Sequence, residues 1–127
     1  MHHSDITAVI IEVSIDIHRR LGPGLLESVY RRILAHELGK RGFQVQMEQP
    51  IPVLWDSLQL DIGFRADLII NNLVIVETKS VEAIHPVHKK QLLTYLRLTD
   101  MRVGLLINFN VELLRNGISR VVNNLEE

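Results

Sequence analysis

The sequence predicts an α/β fold: one domain in which a mixed central β-sheet is flanked by helices. Three observations predict it. Two amphipathic stretches open the chain, at 5–21 and 25–41, with apolar residues at steps of three and four. Short runs rich in Ile and Val follow, separated by polar turns, which is the mark of strands. Another amphipathic stretch, from Pro86 to about 98, separates two of those runs. Strand, helix, strand is the order that a parallel pair requires. The whole chain, residues 1–127, fits one domain by length.

Each element has its own signal. In the first helix Ile6, Val9, Ile10, Val13, Ile17 and Leu21 make one stripe, with Ser4 or Asp5 as the expected cap. Gly22-Pro23-Gly24 breaks it. In the second, Leu26, Val29, Ile33 and Leu38 are the expected core face, flanked by Tyr30 and Leu34. Gly42 follows as a C-terminal stop behind Lys40 and Arg41. Residues 43–48 alternate as a strand, and Gln49-Pro50-Ile51-Pro52 interrupts it or confines it to an edge. Residues 53–55 are expected to resume it, and 58–62 to return after a turn at Asp56-Ser57. Trp55 reads as a core or hairpin-packing residue. Residues 64–70 and 73–79 are two strands joined at Asn71-Asn72. In the third helix Leu92, Leu93 and Leu96 face inward, while His88, Gln91, Tyr95 and Leu98 form a second stripe. Residues 101–109 have the unbroken apolar middle of a strand buried on both faces. Beyond it lie a short helix near Leu113-Leu114 and, at 116–122, either an added strand or a loose end. Residues 123–127 are expected to fray. His18 and His36 read as surface or helix-edge histidines.

Composition excludes several classes. The hydrophobic fraction of 46% is too high for disorder. There is no cysteine, so cysteine–zinc sites, disulfides and thiol nucleophiles are out. With 14 basic and 15 acidic residues the chain is not a non-specific polyanion binder, although a local basic groove is compatible with that total. No apolar run approaches the ~20 residues that span a bilayer, and no secretory signal is visible. A cytoplasmic protein is the default expectation.

Chemistry concentrates in the strand pair around Asn71-Asn72. Glu77 and Lys79 alternate onto one face of their strand. Where Asp67 falls depends on the loop. A two-residue turn at Asn71-Asn72 would oppose Asp67 to Val76. A three-residue loop that includes Leu73 pairs Ile70 with Val74 and sets Asp67 opposite Glu77, as a bulge would also do. Both loops are open from sequence. If the two acids meet, their repulsion calls for a proton or a cation. Mg²⁺ takes one or two carboxylates together with waters and phosphate oxygens. Lys79 would then place the attacking water or offset charge developing on phosphate. Two acids and a lysine are the residue types of metal-assisted phosphodiester hydrolysis. The plainer alternative is a solvated strand end with Asp67 capping a turn.

Further candidates surround this group. Glu27 suits the positive end of its helix, and also qualifies as a third carboxylate for a metal. Tyr30 and Arg31, one turn on, are placed to hold Glu27 or touch phosphate. Gln91 and Tyr95, one turn apart on the helix that follows Lys79, face the same region. His88 is a candidate phosphate contact. With Pro86 between them and no third nitrogen ligand nearby, His85 and His88 make a poor zinc pair.

At these residues the chain resembles a known family. Ala66-Asp67, nine residues, then Glu77-Thr78-Lys79 resembles the signature of the PD-(D/E)XK nuclease superfamily, with alanine in the place of its proline. Gly24-Leu25-Leu26-Glu27-Ser28-Val29-Tyr30 is similar to the motif of the small bacterial GxxExxY proteins placed in that superfamily. Gln91 to Tyr95 resembles the QxxxY helix of its RecB-like and phage-exonuclease-like branches. Gly104-Leu105-Leu106-Ile107-Asn108-Phe109 resembles a late strand of the GxxExxY proteins. The likeness runs over about 5–115. It implies a restriction-endonuclease-like αβββαβ core preceded by an extra helix. It also implies Mg²⁺ or Mn²⁺ at Asp67 and Glu77, with Glu27 as the helix-borne acid. Lys79 would assist the water, with Gln91 and Tyr95 in support and DNA as substrate. A homodimer or partner protein would add binding surface to so small a chain. The alternative on the same fold is a catalytically silent interaction or regulatory protein.

Overall fold

In the computed structural model, which describes residues 2–61 and 63–125, helix α1 (His3–Leu21) buries Ile6, Ile10, Val13 and Ile17. It begins earlier than expected: His2 is the capping residue, and the Asp5 carboxylate accepts its backbone N–H at 3.2 Å. Ser4 and Asp5 therefore lie inside the first turn. The buried face continues past Ile17 to His18, which is not a surface histidine: its Nε2 lies 2.7 Å from the Val111 carbonyl.

Helix α2 (Glu27–Lys40) turns a different face inward from the one expected. Tyr30, Leu34 and Leu38, spaced by four, are buried, while Leu26 and Val29 are exposed. A tyrosine whose hydroxyl is satisfied can serve the core as well as a leucine does. The polar tip of Tyr30 hid the true stripe.

Among the described residues seven strands follow: β1 (Val45–Pro50), β2 (Val53–Trp55), β3 (Leu58–Leu60), β4 (Arg65–Ile70), β5 (Val74–Lys79), β6 (Val103–Asn108) and β7 (Ile118–Val122). Five form one sheet in the order β1-β4-β5-β6-β7. β5 and β6 are parallel and joined by helix α3 (Pro86–Thr99), and the other pairs are antiparallel. The sheet is therefore mixed, and α2-β1-β4-β5-α3-β6 is the αβββαβ order, with α1 ahead of it. Helices α1 and α2 pack with Leu68, Ile70, Val74, Val76, Leu105 and Ile107. Helix α3 packs through Leu92, Tyr95 and Leu96 with Ile69, Ile75 and Leu106. This is the alternation expected of strands buried on both sides.

Two edges depart from expectation. β2 does not resume β1 but pairs only with β3, as a separate hairpin that leaves the sheet between β1 and β4. Pairing survives Pro50, which stands across from Arg65, and the Ile51 N–H still donates to the Phe64 carbonyl. The break comes at Pro52, which offers no N–H to continue the ladder, and β1 is an edge strand as the prolines required. Trp55, at the turn of this hairpin, is 73% exposed and is not a core residue. Ile62, placed at the end of the return strand from sequence, lies outside the described residues. So do Glu126 and Glu127 of the expected fraying tail. The segment left open at 116–122 is resolved as β7, which covers the second edge of the sheet after a 3-10 turn at Leu114–Gly117.

The β4–β5 hairpin takes the three-residue loop. Ile70 pairs with Val74, and Asn71 and Asn72 both hold positive φ, 52° and 53°. Asparagine tolerates that region better than most residues. The loop is tied to the segment before β1, since the Asn71 side-chain oxygen accepts the Gln44 N–H at 2.8 Å.

Candidate active site

Regular pairing of β4 with β5 stops at Leu68 and Val76. The next two residues in register are Asp67 and Glu77. Here side chains replace the ladder. The Asp67 N–H donates to Glu77 Oε2 at 2.7 Å, and the Thr78 N–H donates to Asp67 Oδ2 at 2.8 Å, joined by the Thr78 hydroxyl at 3.1 Å. Each acid thus satisfies the backbone of the opposite strand. The carboxylates sit in the gap between the strands, one of the arrangements foreseen from the loop.

Burial makes this pair electrostatically costly. Glu77 is 5% exposed. Desolvation, followed by the charge of Asp67, pushes its pKa from 4.5 up to about 8, although the Asp67 N–H and Lys79 pull the other way. At neutral pH Glu77 therefore keeps a proton. Two close carboxylates that cannot both ionise are the expected outcome of burial beside a like charge.

Glu27 is carried to this site by a tethered loop. The Tyr30 hydroxyl donates to the Gly22 carbonyl at 2.6 Å and accepts the Leu25 N–H at 3.1 Å, while its ring stacks on Phe109 at 4.4 Å between centroids. The Ser80 hydroxyl, just past Lys79, donates to the Leu25 carbonyl at 2.7 Å. These bonds fasten the start of α2 to the end of β5. Tyr30 is therefore a buried anchor of the loop that leads to Glu27.

Arg31 gathers the acids. Its Nη1 lies 3.1 Å from Glu27 Oε1 and 3.1 Å from Asp67 Oδ1, and its Nη2 lies 3.5 Å from Glu48 Oε1. The sequence suggested that Arg31 could hold Glu27. It offered no signal for Glu48, which reads only as one polar position of an alternating strand. Among the described residues no group of three or more His, Cys, Asp or Glu side chains is arranged to hold a metal ion. The reason is visible in Arg31, which stands between Glu27 and Asp67 and keeps the third acid on itself.

The remaining candidates divide. Lys79 ends β5 half-buried, makes no ion pair with any described residue, and acts on both Glu77 and His88 through its charge. Tyr95 is buried against Phe64, its ring edge-on at 5.8 Å. Burial, then the charges of Glu77 and Asp67, raise its pKa, against a backbone hydrogen bond at Arg65 that pulls the other way, so it stays a neutral phenol. His88 lies at the start of α3, where its Nδ1 accepts the His85 N–H at 3.1 Å. Burial and the nearby positive charges of Lys79 and His85 lower its pKa. Gln91 is exposed and makes no hydrogen bond to a described residue.

One positioning group escaped sequence reasoning. Asn108, at the end of β6, accepts the Val81 N–H at 3.1 Å and donates to the Val81 carbonyl at 2.9 Å. It clamps the segment that leaves Lys79. A buried asparagine closing an otherwise apolar strand was the available signal.

No curated protein and no solved structure matches this chain. No helix among the described residues is long and apolar enough to cross a membrane. The profile of the PD-(D/E)XK nuclease superfamily matches residues 4–121. That span takes in the strand pair, the helix-borne acid and the crossover helix described above, and the chain belongs to the PD-(D/E)XK nuclease superfamily.

Proposed function

We propose that this protein is a metal-dependent nuclease that hydrolyses phosphodiester bonds of DNA, in a cytoplasmic setting. The observation that carries the reading is the interlocked pair Asp67 and Glu77, with Glu77 buried beside the like charge of Asp67. Two acids held so close away from water mark a place where a cation can offset their repulsion. Mg²⁺ or Mn²⁺ fits the donor set, because one or two carboxylates suffice when water and phosphate oxygens complete the shell. Asp67 and Glu77 would hold it, and Glu27 would join them if released from Arg31. Such an ion, when bound, polarises a phosphoryl oxygen and lowers the pKa of water.

The chain's own residues do the rest. Lys79, two residues beyond Glu77 on the same strand, orients the attacking water and offsets charge developing on the phosphate. Tyr95 remains protonated and can donate a hydrogen bond at the rim of the acid pair. His88, Gln91, Lys89 and Lys90 line the exposed side of α3, where a phosphate backbone can be met. A second copy of the chain or a partner protein would extend that contact, since duplex affinity grows with the number of phosphates neutralised.

The test is cleavage of single-stranded and duplex DNA with Mg²⁺ or Mn²⁺, wild type beside Lys79→Ala. Loss of a charge-stabilising group is expected to slow cleavage by about 10²–10³-fold. Equal cleavage by both proteins removes Lys79 from the mechanism. The Arg31 network favours a second reading, a silent interaction protein on the same fold, because it satisfies Asp67 and Glu27 with a side chain of the protein itself. Failure to take up either ion at millimolar concentration would select that reading.

A further inference from the structure

The Arg31 side chain is 13% exposed, and three acids surround it: Glu27 from its own helix, Asp67 from β4 and Glu48 from β1. Its Nε is buried with no hydrogen-bond partner, so the guanidinium is held by its two outer nitrogens alone. The contact with Glu48 is the looser one, at 3.5 Å against 3.1 Å for the other two.

Glu48 is in an unusual position for that contact. Pairs on either side of it, Met47 with Leu68 and Gln49 with Ala66, place it across from Asp67, yet the ladder passes over it. Its φ is 54°, a left-handed conformation in the middle of a strand. A residue other than glycine or asparagine pays for that geometry, and such strain persists where surrounding contacts impose it. The side chain that results is 53% exposed and meets Arg31 at Nη2, whereas Glu27 and Asp67, at 36% and 17%, both meet it at Nη1.

We propose that Arg31 is a built-in rival of the divalent ion, and that Glu48 is the berth to which it withdraws. The inference rests on the metal reading given above. An arginine cannot shed its charge to make room, as a lysine could. A cation bound at Asp67 and Glu77 therefore obliges the guanidinium to leave Asp67. Glu48 is already at its outer nitrogen, so the guanidinium exchanges partners without being stranded. The exchange also releases Glu27, which becomes free to join the ion. Arg31 and Glu48 are positioning residues on this account. They touch neither substrate nor the reacting atoms. They set the concentration of ion at which the acid cluster rearranges.

The two residues then have opposite effects on ion affinity, although they form one ion pair. The experiment is calorimetric titration of the full chain with MnCl₂ alone, without nucleic acid, for wild type, Arg31→Gln, Glu48→Gln and the double variant. Arg31→Gln is expected to bind Mn²⁺ about tenfold tighter, and Glu48→Gln several-fold weaker, with the Glu48 effect vanishing in the Arg31→Gln background. A merely structural ion pair would shift both variants in the same direction. Unchanged or weaker binding by Arg31→Gln overturns the inference, as does a Glu48 effect that survives without Arg31. If Arg31→Gln fails to fold, Glu48→Gln carries the test alone, and unchanged or tighter binding by it overturns the proposal. Wild-type binding with no effect of any variant would leave the metal reading standing and remove this inference alone. Absence of binding in both wild type and Arg31→Gln would remove both.

Discussion

Replacing Glu77 by glutamine should change how stability depends on pH, and the size of the change follows from the site. The Glu77 carboxyl has a pKa of about 8 in the folded protein against 4.5 for a solvated glutamate. The folded state thus holds the proton more tightly than the unfolded chain does. The stability this contributes is complete below the unfolded pKa and is lost as pH rises through the folded one. From 4.5 to about 8, at about 1.4 kcal/mol per pH unit, the loss is about 5 kcal/mol. Relaxation of the parted strands and water uptake reduce this, so about 2–5 kcal/mol is expected in solution. The charge of Asp67 contributes to that shift. Glu77→Gln keeps an oxygen for the Asp67 N–H and has no charge to desolvate. Urea unfolding in EDTA, followed by far-UV circular dichroism, should show the two proteins within about 1 kcal/mol of each other at pH 5. At pH 8.5 the variant should be the more stable by that 2–5 kcal/mol. Excess Mg²⁺ should flatten the wild-type profile, because an ion offsets the charge that the proton otherwise cancels. Parallel pH profiles for the two proteins in EDTA would refute the reasoning.

Other consequences are as direct. Tyr30→Phe keeps the stack on Phe109 but leaves the Gly22 carbonyl and the Leu25 N–H without their partner. It should cost about 1–3 kcal/mol in urea unfolding; a cost near zero would mean that the loop before Glu27 is held by something else. A Cβ at Gly104 would come within 2.8 Å of Leu92 Cδ1 across the β6–α3 contact, so Gly104→Ala should destabilise by about 1–3 kcal/mol. Leu92→Val in the same chain should recover part of that, and failure to do so would place the clash elsewhere. The single tryptophan, Trp55, should emit as a solvated indole and be quenched freely by acrylamide. Trp55→Ala should alter stability by less than about 0.5 kcal/mol. A blue-shifted, protected emission would contradict its place on the hairpin.

The legible parts of the fold were those with strong periodicity or punctuation. The α1 stripe as far as Ile17, the strand–helix–strand crossover and the breaks at Gly22-Pro23-Gly24 and in the 49–52 segment follow from local rules, while Leu21, expected in the stripe, is exposed. The inward face of α2 did not, because Tyr30 carries a polar atom whose partners, Gly22 and Leu25, lie in a loop. Trp55 was misplaced for the converse reason: size and apolarity favour burial, but a hairpin detached from the sheet gives it nothing to be buried against. In the site, Asp67, Glu77 and Lys79 were readable as chemistry, and the Asn71-Asn72 loop reduced their geometry to two alternatives. Arg31 and Glu48 show where that legibility ends. Their meeting depends on how α2 crosses β1, a tertiary relation that spacing along the chain does not encode.

The detached hairpin has a structural consequence of its own. Pro50 stands across from Arg65, and the Ile51 N–H donates to the Phe64 carbonyl at 2.8 Å. The chain therefore leaves and rejoins the sheet at adjacent points, with Ile51 buried at the junction. The β2–β3 hairpin as a whole is an excursion whose two roots are already stitched together. It can be trimmed to a tight turn or exchanged for a longer module while the strands bearing Asp67 and Glu77 keep their alignment. A new recognition surface can be grafted at that seam while the acid pair stays as it is.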